Sequence, residues 1–272
     1  MAMLNAQELT EAYIAASPDK AGSSMWRLLW LGVAAGIFIG LGAVTASTAA
    51  QAVSNIGMQR LVSGALFPIG LCMVVLLGAE LFTGNALMVT AAMRGKITWP
   101  ALLRNWGIVY IGNLLGAVLL AYLMANFGQL DIGAQGLAVY SARVAAAKVS
   151  LTWLKAFVLG IFCNLLVCAA IYMGMSAKDT AGKILGSYLP ILAFVTSGFE
   201  HCVADMYYVP AGIFARGNPE YAQVLLASGL DVSGLTWGGF VLHTLIPISL
   251  GNIAGGVLLG ILMYYAHAVK KE

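Results

Sequence analysis

Charge is scarce in this sequence. Only 9% of its 272 residues are charged, whereas 61% are hydrophobic and the mean hydropathy is +0.88. Soluble domains carry about 25% charged residues, so this chain has too few charges to cover a compact surface in water. The composition predicts an integral membrane protein that lies in the lipid bilayer. The formal charge is only +3 and no basic stripe occurs, so no nucleic-acid partner is predicted.

Metal-ligating residues are also few. The sequence has three histidines and four cysteines, and the cysteines lie in apolar runs at Cys72, Cys163, Cys168 and Cys202. None of them has the paired short spacing of a zinc or redox site. They are predicted to be small buried apolar residues, and no metal or other cofactor is expected.

Long apolar runs are what the sequence has in place of charge. A helix needs about 20 mostly apolar residues to cross about 30 Å of hydrocarbon. Six such runs occur, at 26 to 50, 60 to 93, 100 to 126, 152 to 175, 184 to 214 and 235 to 267. The second and fifth are too long for simple helices and carry polar residues halfway along. We therefore predict an all-α protein with breaks at 79 to 87 and at 196 to 206.

Basic residues are distributed unequally between the two sides of such a membrane protein. With a cytoplasmic amino terminus, nine lysines and arginines fall on the cytoplasmic side and five on the other. The nine include Lys270 and Lys271. Because cytoplasmic loops carry the excess of Lys and Arg, both termini are predicted to be cytoplasmic.

The two halves of the sequence resemble each other. "GIF" recurs at 36 to 38 and 160 to 162, a glutamate recurs at the two breaks, and "GNLLG" (112 to 116) is followed by "GNIAG" (251 to 255). Three spans per half is an odd number, so the halves cross the membrane in opposite senses. Inverted repeats of this kind are typical of transport proteins, with their broken helices meeting near the bilayer midplane.

This repeat fixes the predicted organisation of the chain. The amino-terminal segment contains a weakly amphipathic helix over Leu4 to Ala16, and the connector contains a short helix that ends near Lys148. The predicted segments are an amino-terminal segment at 1–24, a first three-span repeat at 25–127, a connector at 128–151, a second repeat at 152–267 and a carboxy-terminal segment at 268–272.

Acidic residues lie at both breaks. Glu80 and Glu200 either bind a cation or relay protons, or they accept hydrogen bonds from backbone N–H groups that the break sets free. Their glycine neighbours favour the second, structural interpretation. The predicted structural support of the broken helices comprises Glu80, Gly84, Asn85, Gly198, Glu200 and Asp205.

His201 is the sharpest candidate for function. It lies at the second break and can change its charge near neutral pH, so it is predicted to face the permeating species. A metal site is disfavoured because no second His or Cys stands at ligand spacing on this span. An intramembrane enzyme with Glu200 and His201 as an acid/base pair would need a third group that the sequence does not supply. The chain is therefore not expected to be an enzyme.

The first break, "ELFTGN", combines bulky apolar with polar residues. Leu81 and Phe82 are out of place in a polar turn and suit a hydrophobic constriction that gates a pore. The hydroxyl of Thr83 and the amides of Asn164 and Asn252 could hydrogen-bond within the path, although the asparagines could equally bridge helices.

Four motifs in order, "ELFTGN", "GIFCNLLVC", "FVTSGFEHCVADM" and "GNIAGG", resemble the formate/nitrite transporter family, which also contains hydrosulfide channels. The resemblance covers nearly the whole chain. It implies an aquaporin-like protomer with interrupted second and fifth helices, assembled as a homopentamer in which each protomer has its own pore.

The resemblance also assigns roles to single residues. His201 matches the central pore histidine, Thr83 and Asn252 match positions associated with it, and Lys148 resembles a vestibule lysine that attracts anions. The positions that match apolar constrictions are Phe67, Leu71, Leu81, Phe82 and Phe194. Asp205 departs from the family, which has asparagine there, and adds a negative charge close to the histidine.

Together these features predict an inner-membrane channel for small monovalent anions, with formate the first choice and permeation that depends on pH. Both passive and proton-coupled permeation stay open. Nitrite and hydrosulfide remain open as alternative substrates, and a channel for water or glycerol is a more distant alternative. Neither the physiological anion nor gating by the amino-terminal segment follows from the residues.

Overall fold

The computed structural model describes residues 3 to 269, and this range is helical with no strand. Five helices are long and apolar enough to cross a bilayer, and a pair bent by 52° supplies a sixth crossing. The spans are Met25–Ala50 (span 1), Ile56–Leu77 (span 2), Trp99–Asn126 (span 3), Trp153–Ser176 (span 4), Thr180–Ser197 with Cys202–Gly217 (span 5) and Trp237–Ala268 (span 6). Span 2 continues after a break as Phe82–Met93. The predicted all-helical fold with two interrupted spans is confirmed.

Within residues 3 to 269, three further α-helices lie outside the spans. They are the amino-terminal helix Ala6–Gly22, the connector helix Gly136–Val149 and the short helix Ala222–Ala227. The amino-terminal helix begins at a capping box between Asn5 and Glu8. It extends beyond the predicted end at Ala16 because later residues of the helix bind the break in span 2. Lys270 and Lys271, which entered the charge comparison, lie outside the described residues, as does residue 272 of the predicted carboxy-terminal segment.

The ends of the spans carry the expected local signals. Asn55 and Thr98 cap spans 2 and 3 by accepting hydrogen bonds from backbone N–H groups in the first turn. Spans 3, 4 and 6 each begin at an exposed tryptophan, namely Trp99, Trp153 and Trp237. Tryptophan favours the membrane–water interface, so these residues mark span ends.

The two halves pack in the same way. The most extensive contacts join span 1 to span 3 and span 4 to span 6. A Cβ on Gly116 would lie 2.1 Å from the carbonyl oxygen of Val33, and a Cβ on Gly255 would lie 2.2 Å from that of Ile161. Only glycine permits helix backbones to approach this closely, so the same device joins both helix pairs.

The alignment of the two halves on their "GIF" motifs was wrong by one helical turn. The carbonyl oxygen of Gly160 accepts a hydrogen bond from Asn252, and in the first half the equivalent acceptor is Gly32, not Gly36. Short motifs of glycine and apolar residues recur by chance in a membrane helix, so they do not fix an alignment. The structural repeat itself is present.

Apolar side chains cover the outside of the spans. Leu103, Leu154 and Leu262 are each more than half exposed. A surface of this kind needs lipid or another protomer against it. Buried polar groups, by contrast, gather at the two breaks.

Candidate permeation site

The two breaks have the same backbone geometry. Gly78 and Gly198 end the first half-helices in the left-handed conformation, with φ of 70° and 75°. Two residues later, the N–H of Glu80 donates to the carbonyl of Leu31, and the N–H of Glu200 lies 3.4 Å from the carbonyl oxygen of Leu159. The chain then runs extended through one residue before the next half-helix begins. Glycine is required because other residues adopt this conformation only with strain.

Two asparagines brace the breaks in equivalent ways. Asn252 accepts from the N–H of Cys202 at 2.9 Å and donates to the carbonyls of Gly160 and Glu200. Asn113 accepts from the N–H of Phe82 at 3.0 Å. Its amide also donates to the carbonyls of Gly32 and Glu80, which are the first-half equivalents of Gly160 and Glu200. Both donor hydrogens of Asn252 are therefore used by the backbone, which leaves none for a ligand.

Asn113 was not predicted as a site residue. The recurrence of "GN" in span 3 and span 6 could have identified it. In the structure, the asparagine of each motif hydrogen-bonds to three equivalent backbone groups. Asn252 was expected either to hydrogen-bond within the path or to bridge helices. In this geometry its direct contacts are those of a brace.

His201 lies at the second break and begins the half-helix Cys202–Gly217. Its Nδ1 accepts from the N–H of Ala204 at 3.1 Å, and its Nε2 lies 2.9 Å from the hydroxyl oxygen of Thr83. The side chains of the two breaks therefore meet. Since Nδ1 acts as an acceptor, a neutral His201 carries its proton on Nε2 and donates it to Thr83. The hydroxyl hydrogen of Thr83 is then free to donate to another group.

Cavities lie on both sides of this pair. The connector-side cavity has a volume of about 470 Å³, and its walls include Arg60, Arg143, Lys148 and His201. The opposite cavity, on the side of the amino-terminal helix, has a volume of about 240 Å³ and is lined by Lys20 among others. No residue lines both cavities, so buried side chains separate them.

The predicted constriction residues are all buried but do not form one ring. Phe67 and Phe194 line the connector-side cavity with their rings 5.7 Å apart, and the ring of Phe194 lies 5.9 Å from that of His201. Leu81 lines the opposite cavity. Leu71 and Phe82 line neither, and Phe82 packs edge-on against Tyr110 at 4.8 Å.

Each glutamate pairs with a lysine. Lys20 donates to both carboxylate oxygens of Glu80 at 3.0 Å and to Asn85 at 2.9 Å. Lys148 lies 2.5 Å from Glu200 and 2.6 Å from Asp205. The glutamates had been expected to accept from freed backbone N–H groups. That detail was wrong, because the asparagine braces and main-chain carbonyls satisfy those groups instead.

The charge of Lys148 is stabilised by its neighbours. Burial alone would lower the pKa of Lys148, but the carboxylates of Asp205 and Glu200 raise it above its ordinary value. The ammonium also lies 5.3 Å from the ring centroid of Tyr208. Lys148 is thus a cation, but one whose charge is shared by two carboxylates.

The remaining predicted polar residues have structural contacts. Asn164 donates to the carbonyls of Thr83 and Asn252, at 3.1 and 2.6 Å. The carbonyl of Gly84 accepts from the hydroxyl of Tyr13 at 3.0 Å. Lys20 and Tyr13 hold the amino-terminal helix against the first break, and nothing in the local sequence predicted this contact. Within residues 3 to 269, no group of three His, Cys, Asp or Glu side chains could hold a metal ion.

Comparison with known proteins decides the family. The sequence model described as "Formate/nitrite transporter" matches residues 7–266. The chain belongs to the formate/nitrite transporter family. Its relatives in this family are named as channels and transporters, so the chain is a multi-pass membrane transport protein and not an enzyme.

Two relatives and one solved structure illustrate the family relationship. The chain is 39% identical to the formate channel FocA of Escherichia coli strain K12 over 259 residues, 93% of this chain and 90% of FocA. It is 39% identical to FocA of Haemophilus influenzae over 241 residues, 86% and 84% of the two chains. A structure titled "Pentameric formate channel with formate bound" matches with a TM-score of 0.81 at 33% identity and covers 90% of this chain and 98% of that one.

Proposed function

We propose that this protein is a homopentameric channel for small monovalent anions, with formate as its main substrate and a separate path through each protomer. The observation that carries the proposal is the hydrogen bond between His201 and Thr83, which joins the two helix breaks between two separate cavities. The named activity of the FocA relatives and the pentameric title of the matched structure support it.

Anions would enter the connector-side cavity under a positive potential. Arg60 and Arg143 line this cavity, and neither forms an ion pair within residues 3 to 269. Lys148 was expected to attract the anion, but its charge is balanced by Glu200 and Asp205. The two arginines therefore supply most of the net positive field that concentrates anions at the mouth.

Two apolar side chains in the wall of this cavity set a barrier. The rings of Phe67 and Phe194 offer no hydrogen-bonding group that could replace the water of a hydrated anion. A bare charge in apolar surroundings is costly unless it is hydrogen-bonded. The anion therefore needs a donor at the point where it loses water, and the hydroxyl hydrogen of Thr83 is positioned to supply one.

The bonding of His201 bears on how a proton could be coupled to the anion. A second proton on the imidazole would sit on Nδ1, which now accepts from Ala204, and it would break this capping bond. Loss of a helix cap costs about 1 kcal/mol, so protonation is possible but unfavourable. We propose that the neutral histidine orients Thr83, and that formate takes up a proton from water in the connector-side cavity and crosses as neutral formic acid, so that the proton moves with the anion.

The location in the cell completes the proposal. We propose the plasma (inner) membrane as its location, with both termini cytoplasmic and the connector outside. The excess of lysine and arginine on the terminal side supports this orientation. Reporter fusions at the connector and at the carboxy terminus test it, and a cytoplasmic connector would overturn it.

Flux into proteoliposomes tests the function. Purified protein should conduct formate, with nitrite, hydrosulfide and glycerol compared side by side at two pH values. The matched variant is His201→Asn, since asparagine keeps a good helix cap but is too short to reach Thr83. We expect formate flux to fall at least about tenfold in this variant, as loss of 1.4 kcal/mol at the barrier would produce.

Three outcomes separate the alternatives. Preferential flux of nitrite or hydrosulfide would replace formate within the same mechanism, whereas glycerol flux without anion flux would overturn an anion channel. Unchanged formate flux in a folded His201→Asn variant would remove the His201–Thr83 pair from the path.

Native mass spectrometry of the purified protein should give five subunits, and another number would contradict the pentamer.

A further inference from the structure

Two lysine-centred triads stand at equivalent positions in the two halves, and they differ in one residue. On the amino-terminal side the triad is Lys20, Glu80 and Asn85; on the connector side it is Lys148, Glu200 and Asp205. Asn85 and Asp205 each follow the triad glutamate by the same number of residues. The chain therefore carries an amide in one triad and a second carboxyl group in the other.

The amide makes the first triad complete. Asn85 accepts from Lys20 through its oxygen, and its Nδ2 donates to Glu80 at 2.7 Å and to Asn105 at 2.9 Å. One lysine and one carboxylate balance in charge. This triad holds no surplus charge at any pH at which both groups are ionised.

An ionised Asp205 could not complete the second triad in the same way. It is fully buried, and apart from the ammonium of Lys148 neither of its oxygens has a hydrogen-bond partner within residues 3 to 269. A carboxylate has no hydrogen to donate to Glu200, whereas a protonated carboxyl group has one. Two carboxylates that contact the same ammonium would leave a buried net negative charge, and like charges placed in this way do not both ionise readily.

We propose that Glu200 and Asp205 hold one proton between them, and that its release switches the charge at the connector-side mouth of the channel. With the proton bound, the triad is neutral and resembles its counterpart. Without it, the triad is negative. Lys148 and Glu200 line the same cavity as His201, so the added charge repels an anion that enters there.

The other charged and titratable groups around Asp205 do not supply this proton. The thiol of Cys163 on span 4 is neutral at physiological pH, as are the thiol of Cys202 and the phenol of Tyr208, which lie three residues from Asp205 on its own helix. His201 is bonded to Ala204 and Thr83. Arg60 and Arg143 remain positive throughout. The switch is thus a property of Glu200 and Asp205 on Lys148, and it responds to pH on the connector side.

The switch is tested by measuring formate flux at controlled pH on each side of the vesicle. This assay rests on the proposed function, because it requires the protein to conduct formate. The ratio of Asp205→Asn flux to native flux should rise as connector-side pH increases, by roughly tenfold across the release of the proton, since the variant stays neutral. Using a ratio removes the titration of formate itself. Glu200→Gln should behave likewise, because Lys148 then pairs with Asp205 alone.

Two controls make the test specific. Asp231→Asn makes the same chemical change at an exposed loop residue and should leave the pH profile unchanged. Asn85→Asp adds a second carboxyl group to the other triad and should create a new dependence on pH at the amino-terminal side. A pH-independent ratio for both Asp205→Asn and Glu200→Gln would overturn the proposal.

An infrared measurement is independent of transport. Native protein in lipid should show the carbonyl stretch of a protonated carboxylic acid that disappears as pH rises, and Asp205→Asn and Glu200→Gln should both lack it. If formate does not permeate but this band titrates, the proton-sharing pair stands and the proposed substrate fails. If the band is absent from native protein at low pH, the pair does not hold a proton and the proposal is wrong.

Discussion

A single amide can hold a broken helix together in an apolar environment. Asn252 satisfies three backbone groups at once, and Asn113 does the same in the other half. An unpaired buried N–H or C=O costs about 1–3 kcal/mol, and no water is available within the bilayer to replace the partner. Asparagine suits this position because it offers one acceptor and two donors in a plane.

This role predicts the effect of removing the amide. Asn252→Ala should lower the free energy of unfolding by about 2–4 kcal/mol, because three buried backbone groups lose their partner. Asn113→Ala is the matched variant and should cost a similar amount. Thermal unfolding in detergent measures both. A reduced formate flux with unchanged stability in Asn252→Ala would instead indicate direct contact with the anion.

His201 combines two tasks that usually belong to different residues. It caps a half-helix through Nδ1 and reaches Thr83 of the opposite break through Nε2. The capping bond fixes both the ring orientation and the tautomer, so Thr83 receives a hydrogen bond in a defined direction. Local backbone geometry therefore sets the chemistry of the candidate site.

At the scale of elements, helix crossings depend on glycine where backbones nearly touch. Span 3 faces span 1 through Gly116, whose absent Cβ would collide with the carbonyl oxygen of Val33. Gly107, on the same span, is exposed and has open space around its Cβ position. The two residues therefore form a natural test pair.

Gly116→Ala should destabilise the protein by about 3 kcal/mol, because a backbone carbonyl cannot move aside as a side chain can. Gly107→Ala should not destabilise it, since alanine favours helix and meets nothing there. Yield of folded protein and thermal unfolding in detergent provide the comparison. Equal stability of the two variants would show that span 1 and span 3 do not pack as described.

The sequence predicts the elements better than their contacts. The length of the apolar runs located the six spans. A glutamate close to a glycine located both breaks, because a charged side chain within a membrane helix is costly. The contact of Lys20 with Glu80 was not predictable, since it requires the amino-terminal helix to fold back over span 2. Likewise, the partners of Asn252 depend on a helix crossing far away in sequence.

For the whole molecule, the inverted repeat places two equivalent half-sites face to face but does not make them identical. Thr83 and His201 occupy different places in their half-helices, and the triads differ at Asn85 and Asp205. The amino-terminal helix covers one cavity through Tyr13 and Lys20, and the connector helix borders the other through Lys148. The two cavities therefore differ in the charges beside them and in the helix that covers each.

The central claim is that an anion crosses each protomer at the point where His201 meets Thr83. A double-mutant cycle of formate flux in proteoliposomes tests it most directly, with Thr83→Val, His201→Asn and both together. If the two side chains act as one site, each single variant loses most of the flux and the double variant loses little more. Thr83→Ser, which keeps the hydroxyl, should retain flux. Losses that multiply in the double variant, or flux that survives in all three, would contradict the account.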